Sequence, residues 1–426
     1  MMMIKKIIGF FLLFSYIYQI SYVFLPFNVP FVMGLIGLPL YLYKYTSLPG
    51  KDRKYVREIL LSLLPVAIVA LLSIVVNHST DFYFVKWAII NALYFFGGYL
   101  LVLLLRDSFN GFSFGRLVEL LVLCAVVQLA LSLVMYYSPA VKDVLLSFIH
   151  ESEIAKDAMA RAESRLIGFG THFFTSGTVH AFILIMIPFY FTQQQVSYLK
   201  SVLMILSFVF VAAVGTMMAR TTLVGVLLAI VIVLLMRKGK TALIFGLVAS
   251  SVILYILSTH YLDLIGNNME VLINFGFEGF RNYQETGSFS TSSFDTMLSL
   301  YKFPTTWETW LLGDAQYEAG RGYYMNTDIG YCRLIFYFGI IGLITYMYFE
   351  YYILKKIFPP EKYGNVIWSV LLCFVLVVNG KGTFDIFPYV CLFSFFIYPC
   401  QPRTERIKEL LEKLLIEYGS KNSNHI

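Results

Sequence analysis

Gly320-Arg321-Gly322-Tyr323-Tyr324-Met325-Asn326-Thr327-Asp328-Ile329-Gly330-Tyr331-Cys332-Arg333 runs without a break into the apolar Leu334-Ile335-Phe336-Tyr337-Phe338-Gly339-Ile340-Ile341-Gly342-Leu343. Glycines, tyrosines and charges giving way to a long apolar run mark the place where a loop enters a membrane-spanning helix. Upstream, a polar and aromatic stretch of roughly seventy residues, about 259–329, separates two hydrophobic runs. A loop of that length is as a rule either functional or disordered. Trp307, Trp310, many Tyr and Phe and an even mix of charges argue for order. The segment reads as an ordered catalytic or binding subdomain on one face of a membrane protein.

The rest of the chain supplies the membrane. Of 426 residues, 58% are hydrophobic and 14% charged, with a mean hydropathy of +0.73. Soluble domains carry about 25% charged residues. No alternating strand pattern recurs, so helices rather than a barrel must satisfy the backbone in lipid. The expected fold is an all-α integral membrane protein with about 12 transmembrane helices, at about 4–24, 28–45, 59–77, 87–105, 117–137, 171–191, 201–219, 221–236, 241–258, 330–354, 365–380 and 386–400. The chain thus divides into spans one to five (1–137), a first large loop (138–170), spans six to nine (171–258), a second large loop (259–329), spans ten to twelve (330–400) and a tail (401–426). Lys5 and Lys6 before an apolar run resemble a signal peptide, but no small-residue cleavage site follows, so the run reads as a retained first helix.

With a cytoplasmic N-terminus, twenty-one of the 32 Lys and Arg fall on inside segments. An even number of spans returns the basic amphipathic tail from Arg403 to the same side. Both large loops then lie outside. In the first, Val141-Lys142-Asp143-Val144-Leu145-Leu146-Ser147-Phe148-Ile149 has helical apolar spacing and suits an interfacial helix, and Glu151 to Arg165 reads as its continuation away from the membrane. The five cysteines are scattered without metal spacing and read as small buried hydrophobes. The net charge of +6 is explained by its location and calls for no nucleic acid.

Chemistry-bearing residues gather at the outer rim. Arg165-Leu166-Ile167-Gly168-Phe169-Gly170-Thr171-His172 precedes the sixth span. Its glycines allow close backbone approach and its guanidinium can fork onto phosphate oxygens. The plain alternative is an arginine reaching for headgroups beside a turn. Arg220, before Thr221, sits in a break of a few residues between spans seven and eight, where a charge is costly and the next helix N-terminus favours an anion. Its plain role is a positive cap on a tight turn. Arg321, Asp328 and Arg333 lie within thirteen residues. Asp328 suits a helix N-cap and Arg333 a surface pair with it. Tyr323 and Tyr324 suit stacking on pyranose rings, although interfacial tyrosines are common in any membrane protein. Lys381 and Asp385 flank an outer turn, where they can pair with each other or Lys381 can join a phosphate site. His172 and His180 are eight residues apart, too far along a helix to share one ion. No Walker, G-x-S-x-G or dinucleotide pattern is present, so neither nucleotide nor nicotinamide cofactor is expected.

The layout resembles the O-antigen polymerase (Wzy) family of bacterial inner membranes, multi-spanning glycosyltransferases of the GT-C kind related to the O-antigen ligases. The resemblance covers nearly the whole chain. Its local carriers are Arg165-Leu166-Ile167-Gly168, Arg220-Thr221, Leu311-Leu312-Gly313, Asp328-Ile329-Gly330-Tyr331-Cys332-Arg333 and Gly339-Ile340-Ile341-Gly342. Ligases place a histidine where this chain has Asp328, eleven residues before the first glycine of the G-x-x-G, which favours polymerase over ligase. Polymerases are described with an arginine and, after ten residues, a glycine. Here that position after Arg165 is Ser176, with Gly177 one later.

The resemblance implies a donor glycan on undecaprenyl diphosphate, an acceptor repeat unit on the same carrier, an active site facing the periplasm and both termini in the cytoplasm. It implies no cofactor and no metal, since arginines can carry the leaving group's charge. Catalytic roles fall to Arg165, Arg220, Asp328 and Arg333. Gly168, His172, Thr221, Arg321, Tyr323, Tyr324 and Lys381 fall to substrate binding. A chain-length co-polymerase of the Wzz type is an implied partner beside the lipid bilayer. The alternatives are a ligase acting on lipid A–core and a flippase or other transporter of lipid-linked oligosaccharides. The absence of an internal repeat and the scarcity of ionisable residues in mid-span, the outer-rim arginines apart, weigh against the transporter.

Overall fold

The computed structural model describes residues 2–150, 165–171, 173–193, 196–236, 267–289, 291–320 and 322–398. The expected span 241–258, the helical continuation through 151–164, the tail 401–426, His172 and Arg321 lie outside them.

The chain is an all-α, multi-pass membrane protein. Its elements are α1 (Met2–Ile17), α2 (Val29–Lys44), α3 (Gly50–Val76), α4 (Tyr83–Ser108), α5 (Phe114–Tyr137), α6 (Pro139–Ser147), α7 (Phe173–Gln193), α8 (Tyr198–Met218) and α9 (Thr222–Leu235). There follow α10 (Asn267–Thr286), α11 (Ser292–Ser299), α12 (Trp307–Leu312), the two-residue strands β1 (Glu318–Ala319) and β2 (Gly322–Tyr323), α13 (Gly330–Ile357), α14 (Pro360–Tyr363), α15 (Asn365–Asn379) and α16 (Phe387–Ser394). Among the described residues, α3, α4, α5, α7, α8 and α13 are long and apolar enough to cross a bilayer. Eleven of the twelve expected spans coincide with helices.

Two of those helices are shorter than their apolar runs. α1 stops at Ile17, and the chain turns at Gln19, whose φ is +50°. The apolar residues beyond it pair with the first loop, where Val23 N–H donates to the Phe148 carbonyl at 3.0 Å and His150 N–H to Ser21 at 2.8 Å. α16 is eight residues long and buried throughout, so it is a half-helix wrapped by its neighbours.

Without a hydrophobic drive between helices in lipid, close packing relies on small residues. Gly34 and Gly37 bring α2 onto α4, where a Cβ at Gly37 would stand 2.1 Å from the Phe96 carbonyl oxygen. Gly225 does the same for α9 on α7, at 2.3 Å from the Ala181 Cα.

Charges divide the two ends of the bundle. At one end Lys5 pairs with Asp107, Lys356 with Glu58, and Lys200 and Arg116 with Glu119. At the other end lie both large loops. There Asn77, after α3, donates to the Gly313 carbonyl at 2.9 Å, and Ser79 donates to Ala315 at 2.6 Å. α6 also lies at this end, with Val144 and Phe148 exposed.

α13 breaks at Phe338 and Gly339, which leave helical geometry (Gly339 φ +65°). The break frees carbonyls, and the loop takes them: Asp314 N–H donates to Phe336 at 2.6 Å and Ala315 N–H to Tyr337 at 2.9 Å. Non-helical backbone is tolerated at such depth only when protein satisfies it. The short α12 and the turn after it are thereby seated in the notch of α13.

Candidate functional site

The Arg165 segment is held by backbone. Leu166, fully buried, donates from its N–H to the Met217 carbonyl at 3.4 Å, and the Ser176 hydroxyl donates to Thr171 at 2.9 Å. Gln128 on α5 donates to the Phe169 carbonyl at 3.2 Å. Gly168 is required by space, since a Cβ there would lie 2.4 Å from the Thr171 carbonyl oxygen and 2.6 Å from Gln128 Nε2. These ties present Arg165 at the loop-bearing end.

Arg220 occupies the turn between α8 and α9, where Ala219 is extended and Gly177 on α7 leaves room for it. Arg165 and Arg220 converge on one ring of α10. Their guanidinium carbons lie 4.3 and 4.4 Å from the centroid of Phe275. Arg220 Nε also donates to the Phe275 carbonyl at 2.9 Å, and its terminal nitrogen pairs with Glu278. Burial, and then the neighbouring Arg220 charge, lower the Arg165 pKa. Burial lowers that of Arg220 too, opposed by Glu278.

Lys381, in the turn after α15, donates to the Thr221 hydroxyl at 3.3 Å. Burial and the charges of Arg165 and Arg220 bring its pKa down to about 8, with Asp328 acting in the opposite sense. Burial raises the Asp328 carboxyl, with Arg333 and Lys381 pulling it back. Asp328 does not cap α13: the cap position is Ile329, without a side-chain bond, and Thr327 accepts from the Ile329 N–H instead.

Arg333, 7% exposed in the first turn of α13, lies between two rings, 3.7 Å from Tyr317 and 3.6 Å from Tyr323. Its Nε has no hydrogen-bond partner among the described residues. The expected surface pair with Asp328 is replaced by this aromatic sandwich, which desolvates the cation but leaves its edge available.

Arg165, Arg220, Thr221, Lys381 and Asp328 therefore form one cluster, and Arg333 and Tyr323 flank it. Tyr324 turns away, donating to Asp314 at 3.1 Å and packing edge-on against Phe336. Asp385 does not pair with Lys381. It accepts from Trp87 Nε1 at 2.9 Å and Asn91 Nδ2 at 2.6 Å, both on α4. Nor is the membrane interior free of ionisable groups: Glu350, fully buried in α13, accepts from the Ile386 N–H at 3.4 Å.

Sequence reasoning missed Phe275, Glu278 and Tyr317. One phenylalanine among 39 carries no local signal. Asn91, polar within an apolar run, was such a signal. The cluster offers an anion excess positive charge, planar donors and partial desolvation, the combination that suits a phosphate or diphosphate. No protein-family model, no curated protein and no solved structure matches this chain.

Proposed function

We propose that this chain is a GT-C-like glycosyltransferase that polymerises undecaprenyl-diphosphate-linked oligosaccharide repeat units into O-antigen polysaccharide at the periplasmic face of the bacterial inner membrane. The observation that carries this reading is the meeting of Arg165, Arg220 and Lys381, from three separate segments, at the loop-bearing end of the bundle. Like charges are gathered in a partly buried place only against a cost. An anionic ligand repays that cost.

In this reaction the acceptor hydroxyl attacks the anomeric carbon of the donor sugar. The bond from that carbon to the diphosphate oxygen breaks as the new glycosidic bond forms. Arg165, Arg220 and Lys381 stabilise the charge growing on the leaving diphosphate, and Arg333 assists. Asp328 takes the hydroxyl proton, a role suited by a carboxyl held above its usual pKa. Both termini then lie in the cytoplasm, where the opposite, ion-paired end of the bundle belongs.

The test is purified protein with synthetic undecaprenyl-diphosphate repeat units and neither nucleotide nor metal added. A ladder of oligomers supports polymerase. Transfer to lipid A–core with no ladder replaces it by ligase. Transport of the intact lipid-linked unit across a vesicle membrane, with neither transfer, replaces it by a transporter.

A further inference from the structure

Beside the cationic cluster the bundle carries a half-open cavity of about 610 Å³, bounded by α4, the start of α7, the turn 380–386 and the start of α16. That volume lies within the roughly 300–1,000 Å³ of small-molecule sites. It adjoins the cluster by two routes. Thr383 on its wall is two residues from Lys381, and Tyr83 stacks at 3.5 Å on Tyr317, the ring that holds Arg333.

The cavity walls alternate aromatic rings with hydrogen-bonding groups, among them Trp87, Asn91, Tyr94, Phe174, Asp385 and Tyr389. Two of these are aimed with care. Asp385 is oriented by three donors at once: Trp87 and Asn91 reach Oδ2, and the Phe387 N–H reaches Oδ1 at 2.9 Å. Asn91 is 2% exposed, and its Oδ1 has no partner among the described residues. An orphaned buried acceptor is costly and calls for a donor. Asp81, also on the wall, is already engaged by the N–H groups of Tyr83 at 2.9 Å and Tyr317 at 2.7 Å, so it serves the loop.

We infer that this cavity is a binding site for a pyranose ring, whose hydroxyls donate to Asn91 Oδ1 and Asp385 while aromatic walls cover its apolar faces. A ring offering several O–H donors and C–H faces matches a pocket that pairs acceptors with aromatics. This inference rests on the reading above only for its sugar's attachment: a ring seated here has its diphosphate directed toward Arg165, Arg220 and Lys381.

The test uses the purified full chain in detergent and two soluble probes. Saturation-transfer NMR reads methyl glycosides of glucose, galactose, N-acetylglucosamine and rhamnose, and phosphorus NMR reads inorganic pyrophosphate. At least one glycoside is expected to bind, with affinity lowered about tenfold or more in Asn91→Ala and in Asp385→Asn. Both variants keep pyrophosphate binding, which shows that they are folded. Failure of all four glycosides to bind overturns the inference, as does sugar binding unchanged in both variants. Sugar binding in the expected pattern without pyrophosphate binding sustains the cavity site and removes the diphosphate role of the arginines.

Discussion

Arg165 and Arg220 stack on the same ring, their guanidinium carbons 4.3 and 4.4 Å from the centroid of Phe275. One residue of the second loop thus sets the separation of two cations that come from the first loop and from an interhelical turn. Phe275→Ala removes the shared face while leaving both charges. The expected result is about a tenfold loss of diphosphate affinity, read by titration with inorganic pyrophosphate. Unchanged affinity contradicts a positioning role for the ring.

Lys381 gives a pH dependence with a definite sign. Its pKa stands at about 8, so its positive charge is present below that value and lost as pH rises through it. Pyrophosphate affinity is expected to fall from pH 7 to pH 9. In Lys381→Arg the charge persists, and the profile flattens across that window. A wild-type profile without slope removes Lys381 from the anion site.

Asp385 has the opposite dependence. Burial raises its carboxyl to about 6, and below that pH it is protonated and cannot accept freely. Glycoside affinity is expected to weaken as pH falls through 6. Asp81, Glu318 and Lys86 share the cavity wall, and Glu350 packs behind the turn. Loss of the pH dependence in Asp385→Asn assigns it among them.

Gly313 and Gly339 lock the loop into α13. A Cβ at Gly313 would stand 2.4 Å from the Tyr337 carbonyl carbon, and one at Gly339 2.2 Å from that of Leu311. Both glycines have positive φ, +70° and +65°. Gly339→Ala combines strain with a backbone clash, so a stability loss of about 2–4 kcal/mol is expected in thermal unfolding. A melting temperature equal to wild type contradicts the notch.

The two ends of the bundle are separable by labelling. Trp307, 69% exposed, lies at the loop end, and Lys355 at the ion-paired end. In intact spheroplasts a membrane-impermeant maleimide is expected to modify Trp307→Cys and spare Lys355→Cys. The reverse pattern inverts the proposed orientation.

Much of this architecture was legible because a bilayer restricts the options. Apolar runs had to be helices, and Arg165, Arg220 and Lys381, each at the end of such a run, had to gather where those ends gather. What was not legible depended on distant contacts. Leu311-Leu312-Gly313 and Gly339-Ile340-Ile341-Gly342 were visible as glycine patterns, but nothing local says that each leaves room for the other. Asp385 looked like a partner for Lys381, four residues away. Its actual donors, Trp87 and Asn91, lie 298 and 294 residues away in sequence. The ends of α1 and α16 were misplaced because hydropathy reports burial equally for a spanning helix and for a buried turn.

The most direct measurement counts undecaprenyl diphosphate released per glycosidic bond formed from synthetic lipid-linked repeat units, in wild type, Arg165→Ala and Arg220→Ala. The account predicts one diphosphate per bond in wild type, and rates lowered about a hundredfold in each variant. Rates that survive both substitutions, or bonds formed without release of the carrier, contradict it.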